Sequence, residues 1–191
     1  MHAAIENDNI SEVEKILTPD VDVNFHYSGR TALQIAVLYG HESICELLLK
    51  HGADVDKANA EDNSLLEMAT WRGYKEIVQL LVKYGADLDV KNNRDSTAIN
   101  TSAFKGHAEI AQILLDAGCD INKQNWRGES PLITAAVQGH EQVVDILLSS
   151  EECWLDCKDY DFRTALIVAA SHGHHRIIKK LIEKGKIWGH D

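Results

Sequence analysis

The chain has 191 residues, a net charge of −11 and 45% hydrophobic residues, enough apolar content for a folded core under a charged surface. The acidic balance disfavours nucleic acid as a default partner, and no apolar run is long enough for a bilayer-crossing helix. The start, "MHAAIENDN", lacks a secretory signal, and Cys45, Cys119, Cys153 and Cys157 follow neither a disulfide framework nor paired zinc spacing, which predicts a reducing intracellular home, cytoplasmic or nuclear.

The chain opens with "HAAIENDNISEVEKILTPDVDVN", a pattern of two short helices. It starts inside the first of them, as a fragment of a longer protein would. Helix starts then recur as "TALQ" at 31, "SLLE" at 64, "TAIN" at 97, "SPLI" at 130 and "TALI" at 164. Each begins with Thr or Ser, whose hydroxyl caps a helix. Thr31 with Gln34, and Ser64 with Glu67, have capping-box spacing, and Pro131 suits a first helical position, where no donor is missed. Leu33, Ala36 and Val37 recur as Leu66, Ala69 and Thr70, then as Leu132, Ala135 and Ala136. This is one apolar stripe with small residues.

Each first helix ends at a glycine: Gly40, Gly73, Gly106, Gly139 and Gly173, spaced by 33, 33, 33 and 34. Second helices follow, with stripes such as Ile44, Leu47, Leu48 and Ile77, Leu80, Leu81, and with Glu42, Glu76, Glu109 and Glu141 near their positive ends. A later glycine series, Gly52, Gly85, Gly118 and Gly185, fits left-handed C-terminal caps. Its one gap lies in "SSEECWLDC", where Glu151 takes the glycine slot and one residue is inserted. The last helix, "HHRIIKKLIEKGK", is cationic and suits a polar terminal cap.

A 33-residue period with such starts, in copies like "GRTALQIAVLYGHESICELLLKHGADVD", resembles the ankyrin repeat family. The resemblance implies an all-α, ankyrin-repeat solenoid of stacked helix-turn-helix units with projecting β-turns and a concave face. It implies a single domain over 1–191: a partial repeat at 1–25, then repeats at about 26–58, 59–91, 92–124, 125–158 and 159–191. No repeat buries its own stripe, so neighbours supply the core. Three copies depart from the pattern. Asp62, Asp95 and Phe162 replace the glycine seen as Gly29 and Gly128 before the helix start. A bulky Phe resists positive φ, so the turn before the last repeat is expected to be reshaped. Asn100 and Ser102 bring polarity into a first helix, which predicts that repeat to be the weakest internal one by hydrogen exchange.

Catalytic chemistry has little support. There is no GxSxG elbow, GxxxxGK loop or HExxH motif, and no cofactor is expected. His41, His107, His140 and His174 follow the glycines, where they serve the turn and the next helix start. His172, His174 and His175 cluster without an acidic or Cys ligand beside them, so no metal site is expected. Cys153 and Cys157 read as unpaired thiols with acidic neighbours. Ankyrin repeats resembling this one can be substrates of an asparaginyl hydroxylase that favours a Leu eight residues upstream. Leu114 stands at that distance from Asn122, though a turn-capping role for Asn122 is the simpler reading.

The variable slots carry the functional signal. By resemblance, partners meet the turn tips and the inner ends of the first helices. The two slots before each glycine hold Leu38-Tyr39, Trp71-Arg72, Phe104-Lys105, Val137-Gln138 and Ser171-His172. The turns add Tyr27, Ser28, Arg30, Arg94, Trp126, Arg127, Glu129, Tyr160, Asp161 and Arg163, with Lys91 and Lys158 at repeat junctions. Including the remaining turn residue Glu61, these slots hold eight basic and three acidic residues, a net +5 against −16 elsewhere. Arg, Trp and Tyr are the types most often found at interface hot spots. The expected activity is therefore non-enzymatic: the concave face grips an extended acidic or phosphorylated, partly apolar segment of another protein. The expected contact residues are Tyr27, Arg30, Leu38, Tyr39, Trp71, Arg72, Arg94, Phe104, Lys105, Trp126, Arg127, Gln138, Tyr160 and Arg163. Trp154 and Trp188 are expected to pack on neighbouring repeats instead. The alternatives are a nucleotide or short oligonucleotide stacked on the same lane, and a passive spacer or self-assembly element.

Overall fold

The structure is a computed structural model and describes residues 1–26, 29–56 and 64–187. Tyr27, Ser28, Glu61, Asp62 and Trp188, named above, lie outside the described residues. Twelve helices and no strand occur among the described residues. They fall into two compact units, Met1–Asp87 and Leu88–Asp191.

The first unit holds α1 (His2–Glu6), α2 (Ile10–Ile16), α3 (Ala32–Tyr39), α4 (Glu42–Lys50), α5 (Leu65–Arg72) and α6 (Lys75–Lys83). First helices α1, α3 and α5 pack in series, as do second helices α2, α4 and α6. The second unit holds α7 (Ala98–Lys105), α8 (Ala108–Asp116), α9 (Pro131–Gln138), α10 (Glu141–Ser149), α11 (Ala165–Ser171) and α12 (His175–Ile187). There α7, α9 and α11 form one layer and α8, α10 and α12 the other. Within each unit, helix-turn-helix repeats therefore stack as the period predicts.

The predicted caps are present. Thr31 Oγ1 accepts from the Gln34 backbone at 3.2 Å while Gln34 Oε1 accepts from the Thr31 backbone at 2.9 Å, a closed capping box. Ser64, Ser130 and Thr164 likewise accept from the residue three on. Asn100 takes the Gln34 role in its repeat: its Oδ1 accepts from the Thr97 backbone at 3.0 Å and its Nδ2 donates to the Lys123 carbonyl at 2.9 Å. Ser102 Oγ donates to the Ile99 carbonyl at 2.8 Å. These buried groups are bonded, which offsets the desolvation that marks their repeat as weak.

The core follows the stripes with one shift in register. Leu33, Ala36, Val37, Leu66, Ala69, Leu132, Ala135 and Ala136 are all buried. In the second helices, Leu47 and Leu80 are only half-buried. Cys45, Val78, Ala111 and Val144, each following the first stripe residue, are buried in their place. Those helices face both the first-helix layer and their own neighbours, so the buried stripe turns by one position.

Two terminal expectations are corrected. Gly185 lies inside α12, which runs on to Ile187, so it caps nothing. The last repeat is not wholly polar outside: Leu166, Ile167 and Ile182 are exposed along with Arg176, Lys179 and Glu183. At the other end, Asp8 takes the left-handed position at φ 53° that glycine holds in later repeats, and its carboxylate lies 3.4 Å from His41 Nδ1.

Candidate functional site

The helix-end slots are fixed by the repeat that follows them. Gly40, Gly106 and Gly139 end their helices at φ between 76° and 79°, a region that costs a side chain strain. A ring from the next repeat also lies over each: a Cβ there would meet Tyr74 at 2.8 Å, His140 at 2.7 Å and His174 at 2.6 Å. These rings precede the next helix at its N-terminus, as the sequence predicts for the histidines. Two of them hold backbone as well, with His140 Nε2 3.1 Å from the Phe104 carbonyl and His174 Nε2 3.3 Å from the Val137 carbonyl. In the first unit the Arg72 guanidinium donates to the Leu38 carbonyl. The residues before Gly40, Gly106 and Gly139 thus stand on a braced backbone.

Their side chains remain partly or largely exposed. Tyr39, Trp71, Phe104 and Trp126 are 49%, 44%, 45% and 51% exposed. Arg30, Arg72, Arg94, Arg127, Gln138 and Tyr160 are exposed, while Leu38, Lys105 and Arg163 are half-buried. The first unit brings Leu38 and Tyr39 beside Trp71 and Arg72 through the stacking of α3 on α5. The second places Trp126, Arg127, Tyr160 and Arg163 on adjacent turns, and Phe104 and Gln138 at the ends of stacked α7 and α9.

Three turns of the second unit share one design. Asn92, Asn125 and Asp159 each donate a backbone N–H to a carbonyl four residues on, at 2.9, 3.1 and 3.0 Å. The Oδ1 of each also accepts two backbone N–H groups, from residues two and four ahead. The left-handed position is Asp95 at φ 51°, Gly128 at 73° and Phe162 at 61°. The turn before the last repeat is therefore not reshaped. Bonds around Asp159 and the backbone bond from Tyr160 to the Arg127 carbonyl, at 3.0 Å, outweigh the strain on Phe162. That ring is 78% exposed, so it gains little from packing. Phe162→Gly is expected to raise stability by about 1 kcal/mol, seen as a higher thermal midpoint; an unchanged or lower midpoint would show that the ring contributes to the fold.

The electrostatics are more balanced than the slot count implies. Asp95 and Asp159, outside that count, sit among the cations. Lys91 lies 3.9 Å from Asp95 and donates to the Gln124 carbonyl. Arg163 bonds Asp159 at 2.8 Å and Asp161 at 2.9 Å, and the hydrogen bond to Asp159 raises its pKa further. Glu129 is buried against Asn125 Nδ2 at 3.0 Å. Among the described residues, Arg94 and Arg127 pair with no carboxylate, and Arg127 stacks on Trp126 at 4.7 Å from the ring centre.

The family profile described as "Ankyrin repeats (3 copies)" matches residues 1–92, 66–159 and 98–190. The chain belongs to the ankyrin repeat family. Its fold is similar to that of an ankyrin repeat domain from Acinetobacter baumannii, with a TM-score of 0.92 and 29% identity over 96% of each chain. Shorter likenesses are to the palmitoyltransferase AKR1 of Lachancea kluyveri, 38% identical over 68 residues, and to an ankyrin repeat protein of fowlpox virus, 46% identical over 41. These cover 35% and 22% of this chain but 9% and 29% of the relatives, so the chain matches under a third of either. Ankyrin repeats are in general protein–protein interaction modules, and the fold is typically non-enzymatic. The partial palmitoyltransferase match does not establish an enzymatic activity.

The remaining polar candidates serve the ankyrin scaffold. Burial pushes the Cys45, Cys119 and Cys153 thiols up to about 12, and Cys157 is raised for the same reason, so these thiols are protonated near neutral pH. Among the described residues no group of three His, Cys, Asp or Glu side chains could hold a metal ion, and no helix is long and apolar enough to cross a membrane. Asn122 bridges to the next hairpin with its whole amide: Oδ1 accepts from the Trp154 backbone at 2.9 Å and Nδ2 donates to the Glu152 carbonyl at 2.7 Å.

Asn24 makes the same pair of bonds to Asp54 and Gly52. Glu152, rather than Glu151, therefore occupies the glycine slot of its repeat. The inserted residue lets the chain leave α10 without a left-handed residue, since neither glutamate has positive φ. The same register puts Trp154 where the other hairpins carry Asp54, Asp87 and Asp120. It is 65% exposed, against the expectation that it packs on a neighbour. Sequence reasoning missed it because the slot was counted one residue out.

Proposed function

We propose that the chain is a non-enzymatic binding module whose helix-end and turn-tip side chains grip an extended, acidic or phosphorylated and partly apolar segment of another protein. The observation that carries this reading is the half-exposed ring that recurs in the same helix-end slot of three repeats, Tyr39, Trp71 and Phe104, with braced backbone at the first and third. Rigid amphipathic rings bind at low entropic cost. Arg72 and Lys105 follow two of these rings in the chain, and Arg94 and Arg127 stand on turn tips, supplying charge suited to carboxylate or phosphate. The proposed contact set also includes Arg30, Leu38, Trp126, Gln138, Tyr160 and Arg163, with Tyr27 outside the described residues. The nucleotide reading draws less support, since Lys91 and Arg163 are already paired with acids. A reducing intracellular compartment, cytoplasmic or nuclear, suits four free cysteines.

Affinity purification from the source cell tests the reading. The wild type is expected to retain a partner that the Trp71→Ala, Arg72→Glu double variant loses. Raised salt should weaken capture without abolishing it, because apolar anchors are not screened. A partner retained equally by the double variant removes these residues from the site.

A further inference from the structure

The second unit carries a pocket of about 420 Å³ that the helix-end slots do not use. Its floor is the chain from Asn122 to Asn125, and two exposed rings, Trp154 and Tyr160, stand in its wall. Lys91, Asp95 and Asp120 complete the lining.

Three features define what fits. The charges cancel in pairs, with Lys91 3.9 Å from Asp95 and Lys123 3.5 Å from Asp120. A charged guest would have to break a pair, and a phosphate would face both carboxylates, so the favoured guest is uncharged. The floor amides are already committed: Asn122 to the next hairpin, Gln124 Nε2 to the Gly128 and Lys158 carbonyls, and Asn125 to Glu129. The floor is therefore rigid, and the polar groups left on the rings are the Trp154 indole N–H and the Tyr160 hydroxyl, for which no bond occurs among the described residues. The indole only donates, so the guest must be rich in acceptors. Finally, the rings offer flat apolar faces at 65% and 71% exposure.

An extended segment carrying proline meets all three conditions. In the polyproline II conformation its carbonyls have no internal partner, proline brings no N–H, and its ring packs on aromatic faces. We propose that this pocket receives an uncharged, proline-bearing segment of a partner protein in polyproline II conformation. The proposal rests on the reading of the chain as a protein-binding module. It uses a different anchor, Trp154, which occurs in none of the helix-end slots.

The test is titration of the full chain with an acetylated, amidated oligoproline, following the Trp154 indole N–H by NMR, assigned through Trp154→Phe. The expected result is a saturable shift that a glycine-serine peptide of equal length does not produce. Calorimetry should show affinity about tenfold weaker in Trp154→Ala, with unchanged circular dichroism. Tyr160→Phe keeps the ring and should lose less. The proposal is overturned by no saturable shift, by oligoproline affinity unchanged in Trp154→Ala, or by adenosine monophosphate shifting the same indole where oligoproline does not. Because the two experiments alter different residues, Trp154 here and Trp71 with Arg72 there, failure here leaves the capture experiment's outcome intact, and the converse holds.

Discussion

Gly139→Ala is expected to lower unfolding stability by about 3 kcal/mol, the sum of left-handed backbone strain and a core-edge clash. Gly139 ends α9 at φ 78°, and a methyl group there would stand 2.6 Å from the His174 ring. His174 cannot simply swing away, because its Nε2 also bonds the Val137 carbonyl. Urea denaturation gives the number. The second variant separates the two causes: adding His174→Ala removes the clash and should recover part of the loss, leaving the strain. A single Gly139→Ala variant as stable as wild type would show that the ring-on-glycine contact does not hold the repeats in register.

Asp159→Ala is expected to cost a comparable amount, about 3 kcal/mol. Asp159 is only 4% exposed and accepts from the Asp161 and Arg163 backbone and from the Arg163 guanidinium. Removing it leaves those donors unmet and releases the turn that holds Phe162 in a left-handed conformation. The turn should open, and Tyr160 should lose its place against Gly128. Asp159→Asn keeps the acceptor of the backbone bonds and loses only the ion pair with Arg163, so it should be milder. Equal losses in the two variants would assign the effect to charge rather than to the turn.

The architecture was legible because it rests on local chemistry repeated at a fixed spacing. Glycine at the ends of the first helices α3, α5, α7 and α9, a hydroxyl residue at their starts and small residues on one stripe can all be read along the chain, and these occupy the predicted positions. The exposed rings were legible for the opposite reason: Tyr39, Trp71 and Phe104 fall outside the buried stripe. What was not legible depends on partners about one repeat away. The contact of His174 with Gly139 spans 35 positions, and no local pattern predicts it. Phe162 was misread because its own preference for negative φ was weighed without the bonds of Asp159. The signal lay in the sequence, since Asn or Asp precedes the left-handed residue by three in "NNRD", "NWRG" and "DYDF". The pairing of Arg163 with Asp159, four residues apart, was readable too, and it lowers the free charge of the turn tips. Trp154 was misplaced by a one-residue insertion, which moved it from a presumed packing position to an open hairpin tip.

The most direct test of the binding account is selection of a displayed random-peptide library on immobilised chain, in parallel with a variant carrying Trp71→Ala, Arg72→Glu, Trp126→Ala and Arg127→Glu. The account predicts that the wild type enriches peptides combining acidic with aromatic or aliphatic residues, that their binding weakens with salt, and that the variant, folded by circular dichroism, enriches none of them. Recovery of the same peptides on both proteins, or enrichment of basic peptides by the wild type, would contradict it.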